Sequence, residues 1–326
     1  MLLFSDSRQR AATLARDMTL ASDEMTVCQL FMLALQKMKV VEEKIKDKLT
    51  LNDVYGYFIQ AAIEKNVSLF SNESKETFEE QKRKLSLANI LKRNGPSYPH
   101  RRIDFNEAPQ DMQEHLLRMF CGRYNTLSDV GLCYLEPFYE QMYIALALLK
   151  QAGIVILEGA FVEVFSAILH VFLSDHVALG HQITDERRRN VRKEYEPFGC
   201  SDFQKLPNVI ATTLGISNDD RKQLAWMDAF KVFCNNGVHD QTRYFLNTKN
   251  LRPVYDPKHI WYRCNRCAAV SPFMLNKCCP VCGEDAVKAF IFDDSSPEEF
   301  WRKNALFAVQ GGAVRAIDTE EHTAQL

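Results

Sequence analysis

The stretch Tyr262–Glu284, YRCNRCAAVSPFMLNKCCPVCGE, carries the strongest local signal in the chain. Cys264 and Cys267 form one C-x-x-C pair, and eleven residues separate it from a second pair, Cys279 and Cys282. Two such pairs bring four thiolates into the tetrahedron that zinc prefers. The spacing therefore predicts a structural Zn²⁺ with these four ligands. A four-cysteine site leaves no coordination position open for water, so we expect no catalysis there.

Two alternatives stay open for this stretch. Cys278 adjoins the second pair and could replace Cys279 as a ligand. A redox dithiol would need only one C-x-x-C, and the presence of two pairs argues against it. Pro280 and Gly283 suit the tight turn of a zinc knuckle. Zinc binding at comparable small sites contributes on the order of 10 kcal/mol to folding.

The residues just before the cysteines differ in type and periodicity from those further upstream. Arg243–Cys264 is rich in β-forming and turn residues, which predicts a small β-rich module over 244–293. Upstream, apolar residues recur three and four positions apart, and the pattern stays helical from Gln110 to about Gly180. The predicted fold is mainly α, with an α-helical block over 26–243 and a small β-rich zinc ribbon.

The chain begins with a short apolar segment, Leu2–Phe4, that predicts a strand. A helix follows over Ser7–Met18, and a second helix is predicted from about Val27 to Ile45. Ser5 or Asp6 could cap the first helix. The free N–H groups of such a helix start can also bind a phosphate.

Composition excludes several classes of protein. The chain has 326 residues, is 46% hydrophobic, and carries a formal net charge of −2, which excludes a uniformly basic nucleic-acid coat but allows a local basic groove. No signal peptide is visible, and the most apolar stretch, Met142–Leu173, is interrupted by charged residues. With ten cysteines in addition, we expect a cytoplasmic protein that makes no membrane contact.

Three segments, in this order, resemble parts of a known family. The opening LLFSDSRQRAA resembles motif IV in the second RecA-like domain of superfamily 2 helicases, in the version found in large bacterial DEAD/DEAH-box helicases. Some of these helicases belong to antiphage defence systems such as DISARM. The cysteine knuckles resemble the zinc element of an insertion in that domain, and EHTAQL, Glu321–Leu326, resembles the return to the domain.

The resemblance implies roles for individual residues and partners. It implies contact with the DNA backbone, at a single strand or duplex junction, by Ser5, Ser7, Arg8 and Gln9. His322 and Thr323 occupy the place of a turn beside the nucleic acid in related helicases. The two chain ends, 1–25 and 294–326, would then form an incomplete α/β (RecA-like) core, with Leu2–Phe4 beside Ala313–Ile317. The remaining helicase domains of the parent protein would be the protein partners.

The motifs that hold ATP are missing from this sequence. A helicase needs a glycine-rich loop that ends in Gly-Lys-Ser/Thr, and the chain has no Gly-Lys pair. It also needs an acidic motif for Mg²⁺ and an arginine finger. We therefore expect ATP and Mg²⁺ to bind only the complete parent protein, and the isolated chain to be inactive. The alternative is a self-standing α-helical interaction protein with a zinc ribbon and no enzymatic activity.

Three further groups of residues have more than one interpretation. His170, His176 and His181 do not share one helical face, so solvated or capped histidines are favoured over a metal triad. Arg188 and Arg192 lie one turn apart and predict a solvated helix, with a DNA-contacting ridge as the alternative. The tryptophans could stack on bases, although Trp261 is predicted to pack on the zinc module; they are Trp226, Trp261 and Trp301.

Overall fold

The computed structural model describes residues 8–70, 72–91, 98–123, 126–193, 204–237, 242–292, 296 and 298–314, with only the backbone over 8–22. The helices of this part are α1 (Arg8–Ile45), α2 (Val54–Lys65), α3 (Asn72–Leu91), α4 (Gln110–Phe120), α5 (Tyr139–Gln151), α6 (Glu158–Asp175), α7 (Asp185–Val191), α8 (Asn208–Thr213), α9 (Asp220–Lys231) and α10 (Glu299–Leu306). The strands are β1 (Tyr134–Pro137), β2 (Cys234–Asn236), β3 (Tyr244–Leu246), β4 (Leu251–Val254), β5 (Trp261–Cys264), β6 (Val270–Ser271) and β7 (Val287–Phe290). The prediction of a mainly helical protein is confirmed.

Helix α1 is one continuous helix, so the prediction of two separate helices is wrong. Residues 19–26 contain no glycine or proline, and nothing else there interrupts the backbone hydrogen bonds. The predicted apolar face is buried, as Val27, Phe31, Ala34 and Met38 show. The helix runs through the predicted domain limit at residue 25, and the domain limits themselves stay predictions.

The first half of the core forms where α2 and α4 pack beside α1. Phe31 of α1 meets Phe120 of α4 edge to face, with ring centroids 5.8 Å apart. On α2, Gly56 lies against the backbone of Pro99, where a Cβ atom would come within 2.6 Å of the proline carbonyl carbon. Only glycine allows that approach, so the connector that follows α3 can close directly over α2.

The second half of the core is an aromatic stack between α6 and α9. The rings of Phe161 and Trp226 lie parallel at 5.7 Å, and Phe165 packs on Phe233 at 4.3 Å. Each such aromatic pair contributes about 0.5–1.5 kcal/mol beyond the area that it buries. The helical period over residues 158–175 therefore reflects a face that is filled by α9.

Strands β1 and β4 pair antiparallel and join distant parts of the sequence. Glu136 lies opposite Arg252 in this pair. The guanidinium of Arg252 is 2.5 Å from the carboxylate of Glu136 and 3.1 Å from the carboxylate of Glu42 on α1. Strand β1 interrupts the stretch 110–180 that the sequence pattern predicts to be helical. It is too short, at four residues, to show a period of its own.

The cysteine module, residues 261–290, is a three-stranded antiparallel sheet in the order β6-β5-β7. Trp261 lies opposite Phe290, and Cys264 opposite Val287. Trp261 and Val270 share a small cluster with Tyr134 of β1, so the module packs on the β1–β4 pair. The strands of the predicted RecA-like core, Leu2–Phe4 and most of Ala313–Ile317, lie outside the described residues, and their proximity stays a prediction.

Candidate metal centre

The first cysteine knuckle is the turn between β5 and β6. Strand β5 ends at Cys264, and the backbone N–H of Ala268 donates to the carbonyl of Cys264 at 3.0 Å. Cys267 lies inside this turn. Ala268 has a φ of +60°, a left-handed conformation that an L-residue adopts at some cost. The turn directs both thiols to the same side of the sheet.

The second knuckle repeats this turn with a different residue at the end. The N–H of Gly283 donates to the carbonyl of Cys279 at 2.8 Å, and the N–H of Cys279 donates to the carbonyl of Glu284 at 2.8 Å. Gly283 has a φ of +78°, which is the reason that glycine suits this position. Cys282 lies in the turn, as Cys267 does in the first knuckle.

The two knuckles bring four sulfur atoms together. The Sγ atoms of Cys264, Cys267, Cys279 and Cys282 all lie within 4.8 Å of one another. The Sγ atoms of Cys264 and Cys282 are 3.5 Å apart, and those of Cys267 and Cys279 are 3.7 Å apart. A tetrahedral site with zinc–sulfur bonds of about 2.3 Å has sulfur atoms about 3.8 Å apart. The cluster therefore fits a zinc ion in size and in donor type.

Crowding and partial burial shift the pKa values of Cys264 and Cys279 in opposite directions. Burial acts to raise the pKa of Cys264, but the backbone N–H groups of Cys267 and Arg266 outweigh it and hold the pKa at about 7. Burial raises the pKa of Cys279, and the neighbouring Cys267 raises it further. Four thiolates this close repel one another, and a divalent cation at their centre would remove that repulsion.

The structure separates Cys278 from this cluster. Its Sγ lies 3.6 Å from the carbonyl oxygen of Asn276, while Cys279 points inward and is buried. Away from the cluster, Cys121 and Cys133 are buried in the core of the helical block. Burial raises the pKa of Cys121 to about 12, so this thiol is protonated at neutral pH. Cys28 and Cys234 are half-buried, and Cys200 lies outside the described residues.

The module also makes polar contacts with the rest of the chain. The guanidinium of Arg263 in β5 is 2.6 Å from the carboxylate of Glu298, just before α10. The side-chain amide of Asn276 donates to the carbonyl of Thr213, at the end of α8, at 2.7 Å. These contacts and the Trp261 cluster fix the orientation of the module relative to the helices.

The residues predicted to contact the DNA backbone cannot be placed. Ser5, Ser7, His322 and Thr323 lie outside the described residues. Arg8 and Gln9 are the first two residues of α1, and their side chains are also outside the description. Their nucleic-acid roles therefore stay predictions.

Arg188 is neither solvated nor part of a surface ridge, so both sequence interpretations of this residue are wrong. Its side chain is 0% exposed and donates to the carbonyl oxygens of Val177, Leu179, Gly180 and Ile183. The guanidinium also lies 4.0 Å from the ring centroid of Phe245. Arg188 therefore has a structural role, because it holds the segment that follows α6 against α7.

The histidines do not form a metal site with one another. The cluster of four cysteines is the group of metal-ligand residues that the described part of the chain brings together. Burial lowers the pKa of His170, although Asp129 pulls it upward, and burial also lowers that of His181. Both rings are held neutral at pH 7, as partly buried side chains rather than ligands.

The three tryptophans have different surroundings. Trp226 is 4% exposed between α6 and α9, and Trp261 is 3% exposed on the cysteine module, as predicted. Trp301, on α10, is 53% exposed and borders a cleft that also contacts Arg118 and Arg123. The sequence pattern did not single out these two arginines. Arg118 lies at the end of α4 and Arg123 just after it, and they are near Trp301 only because all three line the cleft.

The described residues form a mainly helical protein with a cluster of four cysteines whose size and donor type fit a metal ion. Among the described helices, none combines the length and the apolar composition that a membrane-spanning segment needs. Neither a protein-family model nor a solved structure matches the chain. The whole chain is 26% identical, over 347 aligned residues, to the Druantia protein DruE of Escherichia coli strain UMEA 4076-1. The chain spans 18% of the length of that curated relative.

Proposed function

We propose that this chain is part of an antiphage defence protein of the helicase type, an ATP-dependent superfamily 2 DNA helicase or translocase. Within it, the chain would contact the nucleic-acid backbone and contribute a structural zinc module. The observation that carries the proposal is the similarity to Druantia protein DruE along the whole chain. The resemblance of the opening segment to motif IV supports it independently. ATP hydrolysis would belong to other parts of the parent protein.

The zinc part of this proposal rests on the cysteine cluster. Four thiols with the spacing of two knuckles, and with sulfur atoms 3.5–3.7 Å apart in the two closest pairs, match the requirements of a closed zinc site. Metal analysis of the purified chain should give about one zinc per molecule. A Cys278→Ser variant should keep that ratio, and Cys279→Ser should lower it. A chain that is folded over 261–290 without metal would refute the structural zinc.

The nucleic-acid part is tested by salt-dependent binding. Labelled oligo(dT) should bind the chain at low salt, and the logarithm of the binding constant should fall linearly with the logarithm of the salt concentration. An Arg8→Ala variant should weaken binding and reduce the slope by about 1, whereas Arg10→Ala on the same helix serves as the matched control. If the chain does not bind at about 50 mM salt, or binds with no salt dependence, the backbone-contact role is wrong.

A second candidate function is a self-standing interaction protein with no enzymatic activity. It is favoured by large apolar side chains that lie exposed on α5 and on the loop after it, namely Tyr143, Ile144, Val155 and Leu157. Exposed apolar groups in one region mark protein contacts more often than nucleic-acid contacts. A chain that binds no DNA and loses a protein partner on Leu157→Asp substitution would support this second function over the first.

A further inference from the structure

Trp301 is displayed on the surface in a way that the other two tryptophans are not. Helix α10 places it beside Phe300, which is also exposed, and the two rings meet edge to face at 5.7 Å. One turn further along the same face of the helix, Ala305 is buried against the core, so the orientation of α10 is fixed. An indole that is held on a rigid helix and left open to solvent is well placed to stack on a ligand ring.

The cleft beside Trp301 is large enough for such a ligand. It has a volume of about 450 Å³ and lies between α1, α4 and α10. Its interior is mostly apolar, with Met25 of α1, Met119 of α4 and Leu127 among the side chains that line it. Ligand sites in proteins typically occupy about 300–1,000 Å³ and combine an apolar interior with a few polar groups.

The charged groups at this cleft are two arginines, Arg118 and Arg123, and one glutamate, Glu24. Arg118 lies 3.5 Å from Glu24, which also lines the cleft, and it donates to the carbonyl of Asn190 at 3.2 Å. Arg123 is exposed. Glu24 offsets part of the charge of Arg118, and the two arginines together leave the cleft with an excess of positive charge.

Arg123 also belongs to a second cavity. This one has a volume of about 230 Å³ and reaches the first cysteine knuckle at Cys267 and Ala268. His170 and Ser174 of α6 line it on the other side. The two cavities therefore meet at Arg123, and the second cavity is also lined by the carboxylates of Asp129 and Glu298.

We propose that the Trp301 cleft binds an unpaired nucleotide of single-stranded DNA, with a base stacked on Trp301 and the adjoining phosphates beside Arg123 and Arg118. A duplex is a poor fit, since its bases are already stacked and paired. Stacking on an aromatic ring is tolerant of sequence, so the site would select for single strands rather than for a base order. This inference rests on the proposed nucleic-acid function and assigns it a site far along the sequence from the predicted contacts at Ser5–Gln9.

The test uses the tryptophan emission of the full chain, titrated with oligo(dT). Trp226 and Trp261 are buried, so quenching on binding should come from Trp301 alone. Trp301→Phe should keep most of the affinity but abolish the quenching. Trp301→Ala should weaken binding about tenfold, in line with the loss of one stacked base. An oligonucleotide of abasic sites should bind the wild-type chain with the same weakened affinity.

Arginine substitutions test the phosphate contacts. Arg123→Ala should weaken binding and reduce the salt slope by about 1. Matched controls are Arg221→Ala on α9 and Tyr143→Ala on α5, which replace exposed residues of the same kind away from the cleft. Both should leave binding and quenching unchanged. Circular dichroism of each variant should match the wild type, because the replaced side chains are exposed.

Two failures have different meanings. If oligo(dT) binds with a normal salt dependence but Trp301→Ala and Arg123→Ala bind as well as the wild type, the cleft assignment is wrong and the proposed function stands. If the wild type binds no DNA at low salt, the proposed function and this inference both fall. Saturating DNA that leaves the Trp301 emission unchanged would also overturn the inference, and would favour a protein segment as the occupant of the cleft.

Discussion

The helical block, residues 23–254, and the cysteine module, residues 261–290, differ in what fills their interiors. The block buries a continuous set of large aromatic side chains, among them Phe58, Phe165 and Phe230. The module has Trp261 and Val270 in a small cluster, which is completed by Tyr134 from the block. A unit of about thirty residues rarely folds on apolar burial alone and usually needs a metal or a disulfide.

This difference means that the two regions should respond to different perturbations. The block depends on packing and on buried polar contacts, so it should be insensitive to chelators. The module depends on its thiols, so it should be sensitive to chelators even where the block is stable. The contacts between them, through Trp261 with Tyr134 and through Asn276 with Thr213, orient the module but do not give it a core of its own.

The largest expected effect is loss of the module on metal removal. Excess chelator, or the substitution Cys279→Ser, removes a contribution on the order of 10 kcal/mol. Hydrogen exchange should become fast in β5 and β7 while the amides of α2 and α6 keep their protection. Cys278→Ser is the control and should behave as the wild type. Protection of β5 that survives chelation would show that the module is held by packing after all.

The second effect concerns the block alone. Arg188→Met leaves four carbonyl oxygens without their buried donor, and a buried acceptor left unsatisfied costs about 1–3 kcal/mol. Arg189→Met, next to it and exposed, should change the free energy of unfolding by less than about 0.5 kcal/mol. Urea unfolding followed by far-ultraviolet circular dichroism measures both variants. Equal stabilities of the two would mean that Arg188 is not buried in solution.

The contrast between Arg188 and the cysteines also explains how much of the protein could be predicted from its sequence. A C-x-x-C pair is a local motif, so spacing alone predicted the cluster, with Cys278 left open as an alternative to Cys279 until the structure separated them. The burial of Arg188 depends on the carbonyl groups of residues 177–183 and on Phe245, which come together only in the folded chain. In the sequence, DERRRNVRKE gives every arginine the same surroundings, so nothing local distinguishes the buried one.

The same distinction holds for the fold. Helical content followed from apolar periodicity, which is a local property. The pairing of β1 with β4 joins Tyr134 to Val254, and no local signal encodes a contact over that separation. The position of Trp301 beside Arg118 and Arg123 is likewise set by the packing of α10 on α1. Sequence reasoning therefore found the metal cluster and missed the cleft.

A third effect is a dependence of the block on pH. His115 on α4 is 9% exposed, and burial lowers its pKa to about 4, compared with about 6.5 in the unfolded chain. Between these values the unfolded state binds a proton that the folded state does not. Stability is therefore lost as the pH falls from about 6.5 to about 4, by up to about 1.4 kcal/mol per pH unit and about 3 kcal/mol in all.

Urea unfolding at several pH values tests this prediction, with chelator present throughout so that only the block is followed. His115→Leu should flatten the dependence on pH but not abolish it, since burial also lowers the pKa values of His100, His170 and His181. Without chelator, acid should in addition release zinc as the thiolates take up protons. Parallel curves for the wild type and His115→Leu would show that His115 can be protonated in the folded block.

The smallest effect compares the two knuckles within the module. Both end in a left-handed residue, Ala268 with a φ of +60° and Gly283 with a φ of +78°. Gly283→Ala adds a Cβ in a conformation that costs about 1–2 kcal/mol, and zinc affinity should fall about tenfold. Ala268→Gly removes a similar cost but adds about 0.5–1 kcal/mol of backbone entropy to the unfolded chain, so affinity should rise by only a few-fold. Competition with a chromophoric chelator at fixed pH measures the zinc affinity of both variants.

If zinc affinity falls in Gly283→Ala and rises in Ala268→Gly, backbone conformation, and not the metal alone, limits the stability of the module. Weaker zinc binding by Ala268→Gly would contradict the left-handed turn at the first knuckle.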